Sequence, residues 1–356
     1  MKYSQVVKYW LFFGLFLVFM QIVIGGITRL TGSGLSITEW DIVFGTFPPL
    51  GESQWLEEFI KYQSTPQYQK INEGMSLLEF KFIYFWEYFH RLWARMMGFA
   101  FLLPYVIFRI VGMVDKVMSK KLGVVILFAV LAAVFGWVMV ASGLIDRPWV
   151  NAYKLSIHLS IGIAVFLSLL WVILESFYQD RWSGLQMDSA PWLKWITVIF
   201  VLLCLQIFLG GVVSGMKAAL PFPTWPNMNG SFIPTVLLDG NHWTWQKLSA
   251  YESSTFAPAL AQFLHRNTAY AIVIISVVFF YVFLNNQKHT VFKSLIWFFF
   301  SLLFLQILLG IFTLINSLGK IPISLGVMHQ SIGVLLIASS FTILYAFKKS
   351  TKIVIF

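Results

Sequence analysis

The sequence predicts an all-α polytopic membrane protein, with eight transmembrane helices arranged as two pseudo-symmetric four-helix bundles. Three observations lead there: the composition, eight long hydrophobic runs, and an internal repeat relating the first four runs to the last four. Of 356 residues, 58% are hydrophobic, 18% aromatic and only 11% charged, and the mean hydropathy of +0.78 is far above that of a soluble domain. A spanning helix needs about 20 apolar residues to cross about 30 Å of hydrocarbon. The runs lack the ten-residue alternation of a membrane barrel, which excludes spanning strands.

The runs follow in order. The first, roughly 8–27, comes after Lys2 and Lys8 and has no small-residue cleavage site behind it, so it reads as a retained helix rather than a signal peptide. The second, about 82–108, carries Glu87, His90 and Arg91; the third covers about 122–144; the fourth, about 156–175, opens on His158. The fifth, about 193–214, holds the lone Cys204, which can form no internal disulfide and reads as a small core residue. The sixth, about 260–284, carries His265 and Arg266; the seventh spans about 293–315; the eighth, about 325–347, contains His329. The domain expectation is a bundle over 1–176, a cytoplasmic linker over 177–192 and a second bundle over 193–356.

Basic residues orient the chain. With the N-terminus inside, Lys2, Lys8, Arg109, Lys116, Lys120, Lys121, Arg181, Lys194, Lys288, Lys293, Lys348, Lys349 and Lys352 all fall on the cytoplasmic side, mostly in short connections. Two long loops, about 28–81 and 215–259, then lie outside, and the first is acidic, with Glu39, Asp41, Glu52, Glu57, Glu58, Glu73 and Glu79. The net charge of +10 is thus a topology signal and implies no nucleic-acid partner. Both termini are expected to be cytoplasmic. No Arg- and Ser-rich transit sequence precedes the first run, which favours a bacterial cytoplasmic membrane.

The repeat is explicit in the residues. Gln21-Ile22-Val23-Ile24-Gly25-Gly26 returns as Gln206-Ile207-Phe208-Leu209-Gly210-Gly211, Glu87-Tyr88-Phe89-His90-Arg91 as Gln262-Phe263-Leu264-His265-Arg266, and His158-Leu159-Ser160-Ile161-Gly162 as His329-Gln330-Ser331-Ile332-Gly333. Four helices per repeat is an even number, so both halves enter the membrane in the same sense and an axis along the membrane normal should relate them.

That repeat pairs His90 with His158 and His265 with His329, all near the outer ends of their helices. Paired imidazoles on neighbouring membrane helices are what a haem iron needs for axial ligation. A single membrane histidine more simply hydrogen-bonds a neighbouring helix; four at matched positions and one depth point to two haem sites. His242 and His289 have no repeat partner and read as solvated loop residues. Arg91 and Arg266 can pair with haem propionates, or snorkel to headgroups, and Arg29, Arg95 and Arg147 are further candidates. Three residues before the first histidine of each pair stand Glu87 and Gln262. A carboxyl can exchange a proton and an amide cannot, and a glutamate in an apolar segment is a functional candidate with a pKa raised by desolvation unless Arg91 or Arg95 counters it. The alternative is that Glu87 only pairs with a nearby arginine.

At these residues the chain resembles the haem A synthases. The resemblance covers almost the whole chain and is carried by Gly25-Gly26-Ile27-Thr28-Arg29-Leu30-Thr31-Gly32-Ser33-Gly34-Leu35-Ser36-Ile37-Thr38-Glu39-Trp40 with Gly45, Pro48 and Pro49, by the stretch from Phe80 to Arg91, by Thr224-Trp225-Pro226-Asn227-Met228-Asn229-Gly230, and by Gln262 to Arg266. It implies oxidation of a ring methyl of haem O to a formyl group, giving haem A for terminal oxidases. It further implies that His90 and His158 flank the haem O substrate, that His265 and His329 ligate a haem b, that Glu87 is the catalytic carboxylate, and that haem O synthase and cytochrome oxidase assembly factors are partners. The electron-transfer partner is not identified. This chain resembles the branch without loop cysteine pairs, and it departs from the family pattern at Ala94 and Pro223. Two other readings use the same histidines: a two-haem cytochrome b for electron transfer, which would favour one haem near each face, and a haem transporter, which would not call for the carboxylate.

Overall fold

Each long helix of the first half begins where a polar side chain satisfies its free N–H groups. In this computed structural model, which describes residues 3–39, 47–144, 147–183, 190–286 and 290–350, Ser4 caps the helix α1 (Gln5–Leu30). Ser76 and Glu79 form a capping box at the start of α2 (Leu77–Ile110). Asp115 caps α3 (Lys116–Gly143), and Asn151 caps α4 (Ala152–Phe177). The second half supplies α5 (Ala190–Gly215), α6 (Phe256–Asn286), α7 (Thr290–Ile315) and α8 (Ile323–Ser350). All eight are long and apolar enough to cross a membrane, and no strand occurs among the described residues. The multi-pass membrane architecture predicted from the sequence is therefore present. Helices outlast the apolar runs because their polar first turns are capped outside hydrocarbon, as where α2 starts at Leu77. Lys2, Trp40, Asp41, Gly45, Lys288, His289 and Lys352 lie outside the described residues.

Helix α1 packs on α2, α4 and α8, while α5 packs on α6, α8 and α4; α3 lies on α4, and α7 on α8. Exchanging α1–α4 with α5–α8 leaves this set of neighbours unchanged. The four inner helices α1, α4, α5 and α8 make one continuous core, with Leu11, Val18, Ile173, Ile196, Ile199, Ile337 and Phe347 in a single buried cluster. The two halves are thus fused along their inner faces rather than packed as separate bodies.

The repeated Gly-Gly pairs explain how backbones approach there. A methyl group on Gly26 would meet the Gln330 amide at 2.8 Å, and one on Gly211 would meet Ser156 Cα at 2.9 Å. Gln330 Nε2 donates to the Ile22 carbonyl at 2.6 Å, and Ser156 Oγ to that of Phe208 at 2.5 Å. Small residues and interhelical hydrogen bonds of this kind hold helices together where lipid removes the hydrophobic incentive.

Polar ties close both ends. At the long-loop end Arg147 pairs with Glu252 at 3.1 Å, and Arg29 donates to the Ser214 and Gly215 carbonyls at the C-terminus of α5, where a cation is favoured. At the other end Glu175 of α4 receives Tyr345 at 2.8 Å and Lys349 at 3.0 Å from α8.

Cys204 corrects an expectation: it is exposed on the outside of α5, not in a core. Apolar sequence neighbours in a spanning helix do not distinguish a protein interior from lipid. His242 is likewise half-buried rather than solvated, lying parallel to Phe256 with ring centroids 6.0 Å apart and within 3.6 Å of Asp239.

Candidate functional site

Each odd-numbered helix carries one glycine against which a histidine of the following even-numbered helix rests. His90 lies over Gly25, His158 over Gly136, His265 over Gly210 and His329 over Gly310; a Cβ at these glycines would stand 2.9–3.2 Å from the imidazole Cε1. The structure brings His90 within electrostatic reach of His158, and His265 within reach of His329, as the sequence pairing predicts.

One turn before the glycine, three of the four platforms carry a glutamine. Gln21 Nε2 lies 3.2 Å from His90 Nδ1, Gln206 Nε2 lies 3.2 Å from His265 Nε2, and Gln306 Nε2 lies 3.4 Å from His329 Nε2. The fourth position is Ala132, which has no side-chain amide; His158 approaches its backbone carbonyl, as His265 and His329 approach those of Gln206 and Gln306. These residues were missed in reading the histidines alone. Their signal is a Gln-x-x-x-Gly spacing at Gln21–Gly25, Gln206–Gly210 and Gln306–Gly310.

A haem fits these sites on two observations. The Nδ1 atoms of His158, His265 and His329 and the Oε1 atoms of Gln21, Gln206 and Gln306 are buried with no hydrogen-bond partner, an arrangement that a buried polar site tolerates when it is built for a ligand. The glycine cradles fix each ring against a helix, which orients a ligand nitrogen.

Above the first pair, the outer loop grips α2 through Glu87. This buried carboxylate accepts from Ser36 N at 2.7 Å, Ser36 Oγ at 2.8 Å and Ile37 N at 3.0 Å, and its other oxygen accepts from Arg91 at 2.5 Å. The arginine that the sequence offered as a counter-charge does pair with it. Arg91 also reaches the Ile37 and Glu39 carbonyls at 3.4 Å each. In the second half the polarity is reversed: Gln262 Nε2 donates to the Phe222 carbonyl at 3.0 Å, and Arg266 donates to Thr224, Pro226 and Asn227 carbonyls at 2.9, 3.1 and 2.8 Å. Both candidate propionate partners therefore spend donors on the loop above their site, and so does Arg29 on α5.

The first outer loop also carries a helix, Glu52–Gln63, that the hydropathy reading passed over. Trp55, Phe59 and Tyr62 pack with Phe80 and Tyr84 into an aromatic lid on the start of α2. Burial pushes the Tyr62 phenol up to about 12. Lys61, on the same helix, meets Glu58, Glu57 and Glu39, and its hydrogen bond to Glu58 leads the effects that raise its ammonium above the ordinary lysine range. The spacing of Trp55, Phe59 and Tyr62 on one helical face was the available signal.

Fold and site together define a polytopic membrane protein with two histidine pairs at matching positions of its repeat, one pair accompanied by a carboxylate and the other by an amide. A profile described as cytochrome oxidase assembly protein matches residues 8–341, and the chain belongs to that family. It is 36% identical to a heme A synthase of Flavobacterium psychrophilum over 98% of this chain and 100% of that protein. It is 38% identical to one of Nitrosospira multiformis (93% and 90% covered) and 36% identical to one of Pelagibacter ubique (97% and 97%).

Proposed function

We propose that this chain is a haem A synthase that oxidises a ring methyl of haem O to the formyl group of haem A. The observation that carries the reading is the contrast between matched halves: Glu87 before His90, Gln262 before His265. In this reading residues 1–176 form the substrate half, with His90 and His158 flanking haem O, and residues 193–356 form the half in which His265 and His329 hold a haem b. Arg91 and Arg266, at the water-facing edge of each site, serve the propionates with the donors left over from the loops. A bound haem b would supply a one-electron redox centre beside the substrate.

The chain's own residues then perform three tasks. The glycine platforms and their glutamines hold the imidazoles in register. The loop held by Glu87 and the aromatic lid keep water from the first site, which strengthens the electrostatics inside it. Glu87, on the same helix as His90, would supply a negative charge and a proton acceptor for the carbon being oxidised. Each hydroxylation exchanges a C–H for a C–OH bond and is a two-electron oxidation whose electrons pass to an acceptor outside this chain, and the gem-diol stage then loses water, with no further oxidation, to leave the formyl group. With the basic short loops inside, both termini lie in the cytoplasm of a bacterium and the sites lie towards the outer face of its cytoplasmic membrane. All four histidines lie near one face, which disfavours the electron-transfer cytochrome.

The test is pyridine haemochrome analysis and reverse-phase separation of the haems in purified protein. Haem b with haem O or A is the expected result; haem b alone in every preparation, with no haem A formed in cells, overturns it. His265→Leu or His329→Leu should abolish most low-spin haem b absorbance, whereas His90→Leu or His158→Leu should leave it and stop product formation. Equal loss from all four contradicts the division between halves.

A further inference from the structure

We infer that His158 is the releasable ligand of the first site, and that Ala132 is the positioning residue that makes it so. The inference rests on the reading of the first half as the substrate site, and it concerns how a haem leaves.

Three imidazoles stand beside a glutamine amide one helical turn from their glycine: His90 beside Gln21, His265 beside Gln206 and His329 beside Gln306. Each amide sets its Nε2 against the ring, and its Oε1 is buried with no hydrogen-bond partner. An outer partner of this kind orients a histidine and tunes its basicity as a ligand. On α3 the same position, four residues before Gly136, is Ala132, and a methyl group offers neither donor nor acceptor. His158 therefore has no side-chain amide beside it, while its Nδ1, like those of His265 and His329, is buried with no hydrogen-bond partner. The repeat makes the comparison strict, because α3 and α7 are counterparts and Gly136 and Gly310 support their histidines in the same way.

A second observation points the same way. In an 18-residue apolar stretch of α2 and of α3, 0% and 6% of the residues are buried, against 22% in each of α6 and α7. Neither outer pair, α2 with α3 or α6 with α7, packs along its length. The first pair of outer helices is therefore the less buried of the two pairs. A site that must bind and discharge a lipophilic porphyrin needs one ligand that lets go and a path for the ring; a site that retains its haem needs neither. A glutamine at both positions would hold product, and an alanine at both would lose the resident haem.

The experiment uses the full-length protein in nanodiscs, loaded with haemin, and follows haem transfer to excess apomyoglobin by Soret absorbance. Wild type should release in two phases, and His329→Leu should remove the slow one, assigning it to the second half. Ala132→Gln should slow the fast phase roughly tenfold or more, and Gln306→Ala should speed the slow phase by a similar factor, the range typical of outer partners of metal-bound histidines. Gln306→Asn, which restores an amide, should recover part of the slow release, separating bracing from damage to the fold. If Gln306→Ala does not fold, the Ala132→Gln rate decides alone. Two phases unmoved by Ala132→Gln overturn the inference while leaving the functional reading standing. A wild-type chain that takes up no haem sinks both.

Discussion

Glu87 shows how much a single side chain depends on the polarity of what faces it. By shape, Glu87→Gln looks like a copy of Gln262, yet the two loops present opposite groups: backbone N–H to Glu87, a backbone carbonyl to Gln262. A glutamine at 87 can offer its oxygen to Ser36 and Ile37 or to Arg91, and its NH₂ then meets donors on the other side. Losing one charge-assisted hydrogen bond there costs about 1.5–3 kcal/mol locally. Glu87→Gln should therefore raise hydrogen exchange across residues 33–39 as well as cut haem A yield by about a hundredfold, the usual size of an acid–base or electrostatic contribution. A loosened loop with undiminished haem A yield would remove Glu87 from the chemistry and leave it a structural partner of Arg91.

At the scale of helices, glycine does two different jobs in this chain, and substitutions should separate them. Gly310→Ala would drive a methyl group to 2.9 Å from His329 Cε1, so the ring must shift while the helix packing stays intact. Its expected signature is loss of low-spin haem absorbance in a protein that still purifies as a single species; an unchanged spectrum would show that the platform is not needed. Gly215→Ala instead brings a methyl group to 2.5 Å from Ala152 Cα, and backbone cannot swing aside. Overpacking of this kind typically costs about 1–3 kcal/mol, so the variant should lower the thermal midpoint with the haem spectrum of the remaining folded protein unaltered. Equal midpoints for wild type and Gly215→Ala would mean that the halves tolerate separation at that contact.

On the scale of the molecule, the two halves share one core through α1, α4, α5 and α8, so sidedness is a property of all eight helices together. In a Cys204→Ser background, a cysteine at Glu57 should react with an impermeant thiol reagent from outside intact cells, and one at Lys116 only after permeabilisation. The reverse pattern would invert the topology and put the sites at the cytoplasmic face. The Cys204→Ser change should itself be nearly neutral, since the thiol lies on the exterior of α5.

The eight helices, their order and the pairing of the histidines were legible in the sequence because hydrocarbon thickness imposes length and apolarity on each helix separately, and a repeat records depth by position. The contrast of Glu87 with Gln262 was legible for the same reason. What the sequence left open depends on how each helix is rotated about its axis and which neighbour it meets. Hydropathy is nearly uniform around α5, so nothing local told that Cys204 faces outward while Gly210 faces His265. The split use of Gly25 and Gly26, one beneath His90 and the other against Gln330 of the opposite half, required α1, α2 and α8 to be seen together. Likewise, the pairing of Arg91 with Glu87, one turn away on the same helix, was readable from the sequence, but only the folded outer loop decides that Arg266 meets three carbonyls, because those partners come from distant, non-helical backbone.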